Sequence, residues 1–503
     1  KLGDFSKPEL PRNLKSHIAL KDHQIKGIAW LQHLFNYTPS ISGCILADDM
    51  GLGKTLQLLV FMMQYIENNH NHKPILIIAP VSLLDNWSSE IRKFFSFDED
   101  LVLKLYGEEL AHKKVQLSDI PKHIKEAGIT NLLQHDWLKN KKIVLTTYET
   151  LRDLSFSFGQ IDWAIIAFDE AQRIKNPSSL VTQASQAQKA DFVVVCTGTP
   201  VENSLVDLWC LYDTVQPGLM GSLKDFSKIY RRPIEEKRIG YENLVEQLRL
   251  LIDPQLLRRT KLDVAKDLPK KIEDLNCQNI KISSNQEKLY ENLLESISHN
   301  SSGDKILKKL HEARMICAHP IYLDQHSQDK DSSKLQWLLE QLKKIQLLNQ
   351  KVVIFTEYRP IQVFLQKVLY ERFGLFVSVI NGDTKAVGEV GSRQRLIDTF
   401  QEKEGFNIII LSTIAVGFGV NIQQANHVIH YTRPWNPAKE DQATDRAYRI
   451  GQEKDVYVYY PTVKAKNFAT FEEKLDELLK HKRVLATDIL QSVDTRSEND
   501  IAR

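Results

Sequence analysis

Phosphate binding is the first chemistry that the residue types of this chain offer. The run GCILADDMGLGKT, residues 43–55, joins a short apolar strand to a glycine-rich turn that ends in Lys54 and Thr55. Gly51 and Gly53 would let backbone N–H groups approach an anion at the start of a helix, where the helix dipole is positive. Lys54 would reach the β and γ phosphates, and the Thr55 hydroxyl would help to hold Mg²⁺. The pattern therefore predicts a nucleotide site.

Two acidic residues precede the glycines of this loop. Asp48 stands where the strict phosphate-loop pattern has glycine, so an ordinary turn before a helix is the alternative. The carboxylates of Asp48 and Asp49 would each repel a triphosphate by about 1 kcal/mol or more. We therefore expect both carboxylates to point away from the phosphates, so that the backbone of the loop holds them.

A pair of carboxylates supplies the acidic partner that a phosphate loop needs. The run AIIAFDEAQ places Asp169 and Glu170 at the C-terminal end of an apolar strand, where open α/β sheets bind their ligands. Asp169 would hold Mg²⁺, directly or through water, and Glu170 would orient and deprotonate the attacking water. A surface pair at a strand end is the alternative, and the phosphate loop on the same sheet argues against it.

Two arginines far along the chain could complete such a site. Arg446 and Arg449 lie three residues apart in DQATDRAYRIGQ, residues 441–452, so they share one face of a helix or of its end. Arginines commonly stabilise the charge of a transferring phosphoryl group. Taken alone, two solvated helix arginines would be the better interpretation.

The elements that must position these residues form two separate α/β series. Continuous apolar runs, which are typical of buried parallel strands, alternate with helical stretches in both series. Between the series the pattern is helical and charged. We expect an α/β fold with two parallel sheets flanked by helices. The expected domains are a first lobe at residues 1–215, a helical insert at 216–331, a second lobe at 332–490 and a polar tail at 491–503.

Composition is that of a folded chain of more than one domain. Its 503 residues carry 42% hydrophobic and 26% charged residues and a net charge of +2, so a nucleic-acid surface would need local clusters of Lys and Arg. Five cysteines without paired spacing predict neither a zinc site nor a disulfide framework and favour a reducing cytosol. No apolar run approaches the roughly 20 residues that span a bilayer, so we expect no membrane association.

Several motifs together carry a family resemblance that covers nearly the whole chain. In order, LKDHQIKGIAWL, DDMGLGKT, DEAQRIKNPSS, CTGTPVENSLVDLW and WNPAKEDQATDRAYRIGQ resemble those of the Swi/Snf-type ATPases of helicase superfamily two. The resemblance implies two RecA-like lobes, with ATP in the cleft, helical protrusions from the lobes, and duplex DNA in a groove that spans both.

The resemblance also implies a role for individual residues. Gln24 would read adenine, and Gln442 would face the nucleotide. Arg446 and Arg449 become arginine fingers. The nucleotide would lie against the loop residues Asp49, Gly51, Leu52, Gly53, Lys54 and Thr55. Coupling of hydrolysis to lobe movement would run through Thr197, Gly198 and Thr199.

For DNA, the matching motifs imply contacts that go mostly to phosphate and sugar, with little base specificity. The implied residues are Pro80, Ser82, Trp87, Thr147, Tyr148, Thr356, Ser412 and Thr413. For Trp87 a core position is a strong alternative. Ile414 and Val416 depart from the family pattern, which puts the coupling to DNA in doubt.

Other departures concern single positions and basic clusters. Gln172 replaces the histidine of the commoner Asp-Glu-Ala-His box, which keeps a hydrogen-bonding side chain, so catalysis should survive. Basic clusters at 231–232 and at Arg258, Arg259 and Lys261 lie where family members brace the lobes or meet DNA, and a solvated face is equally compatible.

The function that follows is that of an ATP-dependent translocase on duplex DNA, with Mg²⁺ as cofactor and with DNA-stimulated hydrolysis. The alternatives are a strand-separating DNA or RNA helicase and an ATP-gated DNA clamp or scaffold. The motif variants look prokaryotic, which implies a cytoplasmic protein, with or without nucleoid association. A motor in a Zorya-type defence against phage, coupled to DNA degradation, is one setting. Because the chain starts without methionine, further domains or subunits are expected.

Overall fold

The computed structural model describes residues 7–69, 73–264, 268–297, 303–384, 392–413, 421–449 and 451–490. The chain divides into two compact units. The first, here called lobe 1, runs to Val264 and includes the chain again from Leu485, and the second, lobe 2, is Ala265–Val484. Both are α/β units, so the predicted fold class is confirmed. The expected tail at 491–503 and the positions of Ile414 and Val416 lie outside the described residues.

Lobe 1 is built on a sheet of seven parallel strands. From edge to edge the strands follow the order β3, β4, β2, β5, β6, β1, β7. Their bounds are β1 Gly43–Leu46, β2 Ile75–Ile78, β3 Val102–Leu105, β4 Ile143–Thr146, β5 Trp163–Phe168, β6 Ala190–Cys196 and β7 Leu256–Leu257.

Helices cover both faces of this sheet, which is why its central strands β2 and β5 are apolar at every position. Along β1, Ile45 packs into one core cluster, whereas Cys44 and Leu46 pack into the other. The helices are α1 Asp22–Phe35, α2 Lys54–Asn68, α3 Val81–Phe94, α4 Gly107–Lys113, α5 Lys122–Glu126, α6 Tyr148–Asp153, α7 Ser155–Gly159, α8 Leu180–Gln186, α9 Leu205–Val215, α10 Leu223–Phe226, α11 Arg232–Glu235, α12 Tyr241–Ile252 and α13 Lys261–Val264.

Lobe 2 contains a six-stranded parallel sheet of order β11, β12, β10, β13, β14, β8 and a short second sheet of β15 and β9. The strands are β8 Lys271–Asp274, β9 Ile280–Lys281, β10 Lys351–Phe355, β11 Ser378–Ile380, β12 Asn407–Leu411, β13 His427–His430, β14 Val456–Tyr459 and β15 Val463–Lys464. The helices are α14 Ser284–Ile297, α15 Gly303–Ala318, α16 Ser333–Leu347, α17 Arg359–Phe373, α18 Arg393–Glu402, α19 Pro437–Thr444 and α20 Phe471–Leu490, whose last residues group with lobe 1.

The predicted helical insert at 216–331 is shared between the two units and is not wholly helical. Its part up to Val264 belongs to lobe 1, and the rest belongs to lobe 2. It also contributes β7 beside β1 and β8 beside β14. These short strands have no periodicity of their own, and pairing with a neighbour decides them. Within the described residues, no helix is long and apolar enough to cross a membrane.

Candidate active site

The C-terminal edge of the lobe 1 sheet brings together the site residues predicted in lobe 1, whereas Arg446 and Arg449 belong to lobe 2. Strand β6 lies between β1 and β5, and parallel strands end at the same edge. The phosphate loop after β1 therefore lies beside Thr197 after β6, and Thr197 lies beside Asp169 after β5. The loops after β2 and β4, which carry the predicted DNA motifs, continue the same row.

The loop before α2 has the backbone of a phosphate site. Gly51 and Gly53 have φ values of +90° and +78°, a left-handed conformation that glycine adopts without strain. A Cβ on Gly53 would also displace the Gln24 amide from its present place against the loop. Lys54 Nζ donates to the carbonyl oxygens of Asp48 at 2.6 Å and Asp49 at 3.3 Å. The ammonium group thus lies over its own loop, in reach of an anion bound there.

The two loop carboxylates point away from the inside of the loop, as the repulsion argument predicts. Asp48 is fully buried, and both of its oxygens accept hydrogen bonds from Arg259. An oxygen of Asp49 accepts a bond of 3.0 Å from the backbone N–H of Lys261. Within the basic cluster of Arg258, Arg259 and Lys261, the Arg259 side chain and the Lys261 backbone bind the phosphate loop. At Arg259 and Lys261 the cluster is therefore neither a solvated face nor a free DNA surface. Sequence reasoning missed this pairing, although an aspartate in a glycine position was its signal.

Gln24 lies against the same loop. It is 7% exposed, its Oε1 accepts a bond of 2.9 Å from Lys21 N, and its Nε2 lies 3.5 Å from the Leu52 carbonyl oxygen. His23 Nε2 also contacts that oxygen at 2.9 Å. Contact with the loop agrees with a place near the nucleotide, and adenine reading by Gln24 stays a prediction.

Asp169 is held by groups from three segments. Its Oδ2 accepts a bond of 2.9 Å from the indole Nε1 of Trp87, and its Oδ1 accepts one of 3.0 Å from Glu170 N. Tyr148 donates its hydroxyl to the Asp169 carbonyl oxygen at 2.7 Å. Burial, followed by the negative charge of Glu170, raises the pKa of Asp169 to about 6. A desolvated carboxyl of this kind gains most from a nearby cation.

Glu170 adopts an unusual backbone conformation and a well-defined side-chain contact. Its φ of +51° is left-handed for a residue with a side chain, which marks a locally strained position of the kind found at functional sites. Gln172 Nε2 donates to Glu170 Oε2 at 2.6 Å, and Gln172 Oε1 accepts from Thr197 Oγ1 at 3.2 Å. Gln172 therefore joins the proposed base to the loop after β6.

This hydrogen-bond chain continues through the predicted coupling residues. Thr199 N donates to Thr197 Oγ1 at 3.1 Å, and Thr199 Oγ1 donates to Glu202 Oε1 at 3.0 Å. Glu202 is 6% exposed and pairs with Lys175. A continuous polar path thus runs from Glu170 to Lys175, although a role in lobe movement stays a prediction.

The residues present fit a magnesium nucleotide better than a protein-only metal centre. Within the described residues, no group of three or more His, Cys, Asp or Glu could hold a metal ion. Mg²⁺ is commonly held by one or two protein ligands together with phosphates and water. Thr55 at the start of α2 and the buried Asp169 suit that arrangement, and the positive field of Lys54 reaches Asp169.

In lobe 2, a buried ionic network holds the helix that carries Gln442. Glu440 is fully buried and accepts two bonds, of 2.8 and 2.9 Å, from Arg433. Arg483 bonds both Glu440 and Asp441. Burial alone would raise the pKa of Glu440, but the charge of Arg433 lowers that pKa to about 2.

The predicted arginine fingers follow this helix and differ in exposure. Arg446 is 3% exposed, and its carbonyl oxygen accepts a bond of 3.0 Å from Ile422 N. Arg449 is half-buried, as is Gln442. Arg449 is therefore the more accessible of the two guanidinium groups.

Most of the predicted DNA-contacting side chains are buried. Ser82 is half-buried, and the other seven are buried. Trp87 is 1% exposed, so the core alternative describes its side chain. Both donors of Thr413 bond Glu357 Oε1. Contacts through backbone atoms stay a prediction at these positions.

The fold and the site define a helicase-like ATPase with two α/β lobes. The SNF2-related domain family matches residues 23–322, and the helicase conserved C-terminal domain matches residues 333–451. The chain belongs to the SNF2-related family, and the family resemblance of its motifs is confirmed.

Three relatives illustrate its similarity to proteins of known name. The chain is 53% identical over 500 residues to Zorya protein ZorD of Escherichia coli O139:H28, covering 96% of this chain and 46% of that protein. It is 38% identical to YwqA of Bacillus subtilis, named as an ATP-dependent helicase/translocase, covering 94% of this chain and 49% of that protein. It is 31% identical to human chromodomain-helicase-DNA-binding protein 1, covering 95% of this chain and 27% of that protein. The chain thus spans about half or less of these relatives.

Proposed function

We propose that this chain is the motor of an ATP-dependent DNA translocase, which hydrolyses ATP to move along duplex DNA without separating its strands. The observation that carries the proposal is the 2.9 Å bond between Trp87 on α3 and Asp169. Helix α3 begins after Pro80, in a motif assigned to DNA, and Asp169 is the assigned metal ligand. The names of YwqA and of the human relative support translocation and DNA binding.

The contacts within lobe 1 support the role that we propose for each of its site residues. Lys54 and the loop backbone would bind the phosphates, and Thr55 and Asp169 would hold Mg²⁺, which would supply positive charge to the phosphates. Glu170, oriented by Gln172, accepts the proton of the attacking water.

The remaining proposed roles fall on residues of lobe 2 and on Gln24 of α1. Arg446 and Arg449 are proposed as arginine fingers, which supply positive charge to the transferring phosphoryl group. Gln24 is proposed to read adenine, and Gln442 to face the nucleotide.

The test is ATP turnover measured in parallel without nucleic acid and with single-stranded DNA, duplex DNA and RNA. We expect the largest stimulation with duplex DNA. Lys54→Ala, Glu170→Gln and Arg449→Ala should each lower the stimulated rate by about 100-fold or more. Wild-type turnover in any of these variants would refute the role assigned to that residue.

Translocation itself needs a separate measurement, because hydrolysis alone does not report movement. We expect the protein to displace a third strand from a triplex on duplex DNA while leaving a tailed duplex paired. Unwinding of the tailed duplex would favour the helicase alternative. Turnover that is indifferent to DNA would favour the clamp.

We further propose that the motor acts in bacterial defence against phage and that other domains or subunits complete it. The 53% identity to a Zorya protein supports this setting. In cells that carry the complete system, Lys54→Ala should abolish protection in a plaque assay. Protection that persists in this variant, at equal protein level, would rule out the motor as its source.

A further inference from the structure

The segment of residues 256–261 lies beside the phosphate loop and continues its sheet. Strand β7 pairs in parallel with β1, with Leu256 opposite Ile45. Beyond the strand, the backbone contacts follow the loop itself. Ala47 N donates to Leu257 O at 2.7 Å, and Asp49 N donates to Arg259 O at 2.9 Å. The segment therefore holds the loop by main-chain bonds on the side opposite β6.

The Arg259 side chain extends this contact to three parts of the site. Its Nε donates to Asp48 Oδ1 at 2.9 Å, and its Nη2 bonds Asp48 Oδ2. Nη2 also donates to Gln57 Oε1 on α2 at 2.8 Å, and Nη1 bonds the His23 carbonyl oxygen on α1. One guanidinium thus joins the loop, the helix after it and the helix that carries Gln24.

Helix α1 packs closely against the Arg259 guanidinium at Gly27. A Cβ on Gly27 would lie 1.9 Å from Gln57 Oε1 and 2.8 Å from Arg259 Nη2. A side chain at residue 27 would therefore displace the ends of the Gln57 and Arg259 side chains. The planar fork of arginine matches a carboxylate in two bonds, which a lysine cannot reproduce.

The segment of residues 256–261 also lies close to the boundary between the two lobes in the chain. Val264 is the last residue of lobe 1 before Ala265 begins lobe 2. The stretch that holds the phosphate loop is therefore also the connection that leads out of lobe 1.

We propose that Arg259 is a positioning residue of the ATP site. The contacts that hold segment 256–261 against the phosphate loop then set the affinity of that loop for nucleotide. The proposal rests on the nucleotide binding assigned above. It also explains Asp48, which occupies a glycine position because it is the acceptor for Arg259. By linkage, nucleotide binding must stabilise the contacts between segment 256–261 and the phosphate loop by the same factor.

The first test measures the equilibrium affinity for a fluorescent ADP analogue with Mg²⁺, without DNA and without turnover. Arg259→Lys keeps the charge and loses the fork, and we expect its dissociation constant to rise about tenfold or more, because the loop is no longer held in one geometry. The matched control is Glu472→Gln, which alters another buried ion pair, with Lys334 in lobe 2. It should lower thermal stability and leave the affinity at the wild-type value.

A second variant keeps the proposal testable if Arg259→Lys does not fold. The double variant Asp48→Asn with Arg259→Gln leaves no unpaired buried charge, so it should fold. Its affinity should still fall, because the bond from residue 259 to the His23 carbonyl oxygen is lost.

Hydrogen exchange supplies a readout that does not depend on affinity. In Arg259→Lys, the amides of Ala47 and Asp49 should exchange faster than in the wild type. In the wild type, ADP with Mg²⁺ should slow exchange in segment 256–261.

The outcomes separate the two proposals. Wild-type protein that binds no nucleotide would refute the proposed function itself. Wild-type affinity in folded Arg259→Lys, with exchange in segment 256–261 unchanged by nucleotide, would overturn the positioning role while leaving the ATPase assignment intact.

Discussion

Gln172 connects Glu170, the proposed base, with Thr197 after β6. Its amide donates to Glu170 and accepts from Thr197, so the proposed base and the loop after β6 share one partner. The interpretation of Gln172 as a hydrogen-bonding replacement for histidine agrees with these contacts. An amide does not titrate, so Gln172 itself offers the same donor and the same acceptor at any pH at which the protein is folded.

We predict that Gln172→Leu lowers the turnover number far more than it changes the KM for ATP. A hydrogen bond to a charged group contributes about 1.5–3 kcal/mol, which corresponds to a loss of roughly 10- to 100-fold if the bond matters fully in the transition state. Steady-state kinetics with duplex DNA measure both constants.

The matched control for that variant is Gln188→Leu. Gln188 is also half-buried in lobe 1, and its amide donates to Ala184 O at 2.9 Å. Its substitution should leave both constants unchanged. Equal effects in the two variants would show that Gln172 acts on stability alone.

At the scale of elements, the C-terminal edge of the lobe 1 sheet orders the motifs in a row. Strand β5 has β2 on one side and β6 on the other. Asp169 after β5 therefore lies between the start of α3 and the coupling loop. Trp87 is the side chain through which α3 reaches this carboxylate.

We predict that Trp87→Phe weakens Mg²⁺ binding, because Asp169 loses a donor that orients it. The apparent Mg²⁺ affinity in DNA-stimulated hydrolysis should fall roughly tenfold, within the range for a hydrogen bond to a charged group. A magnesium titration at saturating ATP measures it.

Trp163→Phe is the control for the loss of a buried indole. Trp163 is fully buried, and its Nε1 donates to a backbone carbonyl oxygen, that of Phe158, at 3.2 Å. Both variants should lower thermal stability, but this control should keep the wild-type magnesium dependence. A shared shift would contradict the role given to Trp87.

Most of the sheet strands could be predicted from the sequence, because strands buried on both faces are apolar without interruption. Strand β7 could not be predicted, since two leucines carry no period. Its pairing with β1 is a long-range contact, and so is the bond from Arg259 to Asp48 across 211 residues.

At the scale of the whole molecule, buried histidines link the stability of lobe 2 to pH. Lobe 2 buries His319, His427 and His430. Burial lowers the pKa of His319 and of His427 to about 4 and that of His430 to about 3. These histidines are neutral in the folded protein well below the pH at which the unfolded chain binds protons.

We predict that lobe 2 loses stability as the pH falls from 6.5 towards 4. In this range the unfolded chain takes up protons that the folded lobe excludes, so protonation favours unfolding by up to about 3 kcal/mol per histidine. Glu440, whose pKa is about 2, adds a further loss between its ordinary 4.5 and 2. Calorimetry at pH 7, 6 and 5 measures the change.

His427→Gln tests the origin of this pH dependence. The ring nitrogens of His427 contact Gln350 and Tyr459, and an amide offers a donor and an acceptor without titrating. The variant should show a smaller fall in the unfolding temperature between pH 7 and 5. An unchanged fall would exclude His427 as a source.

The sequence by itself determined the class of the fold and named the groups proposed for the ATP site, because strand burial, glycine-rich turns and paired carboxylates are local patterns. Lys54, Thr55, Asp169 and Glu170 all follow from neighbours within a few residues. Only the tertiary structure decided what holds these groups. The partners of Asp48, Glu170 and Asp169 come from segments that local patterns do not connect, and the burial of the predicted DNA residues depends on packing between elements.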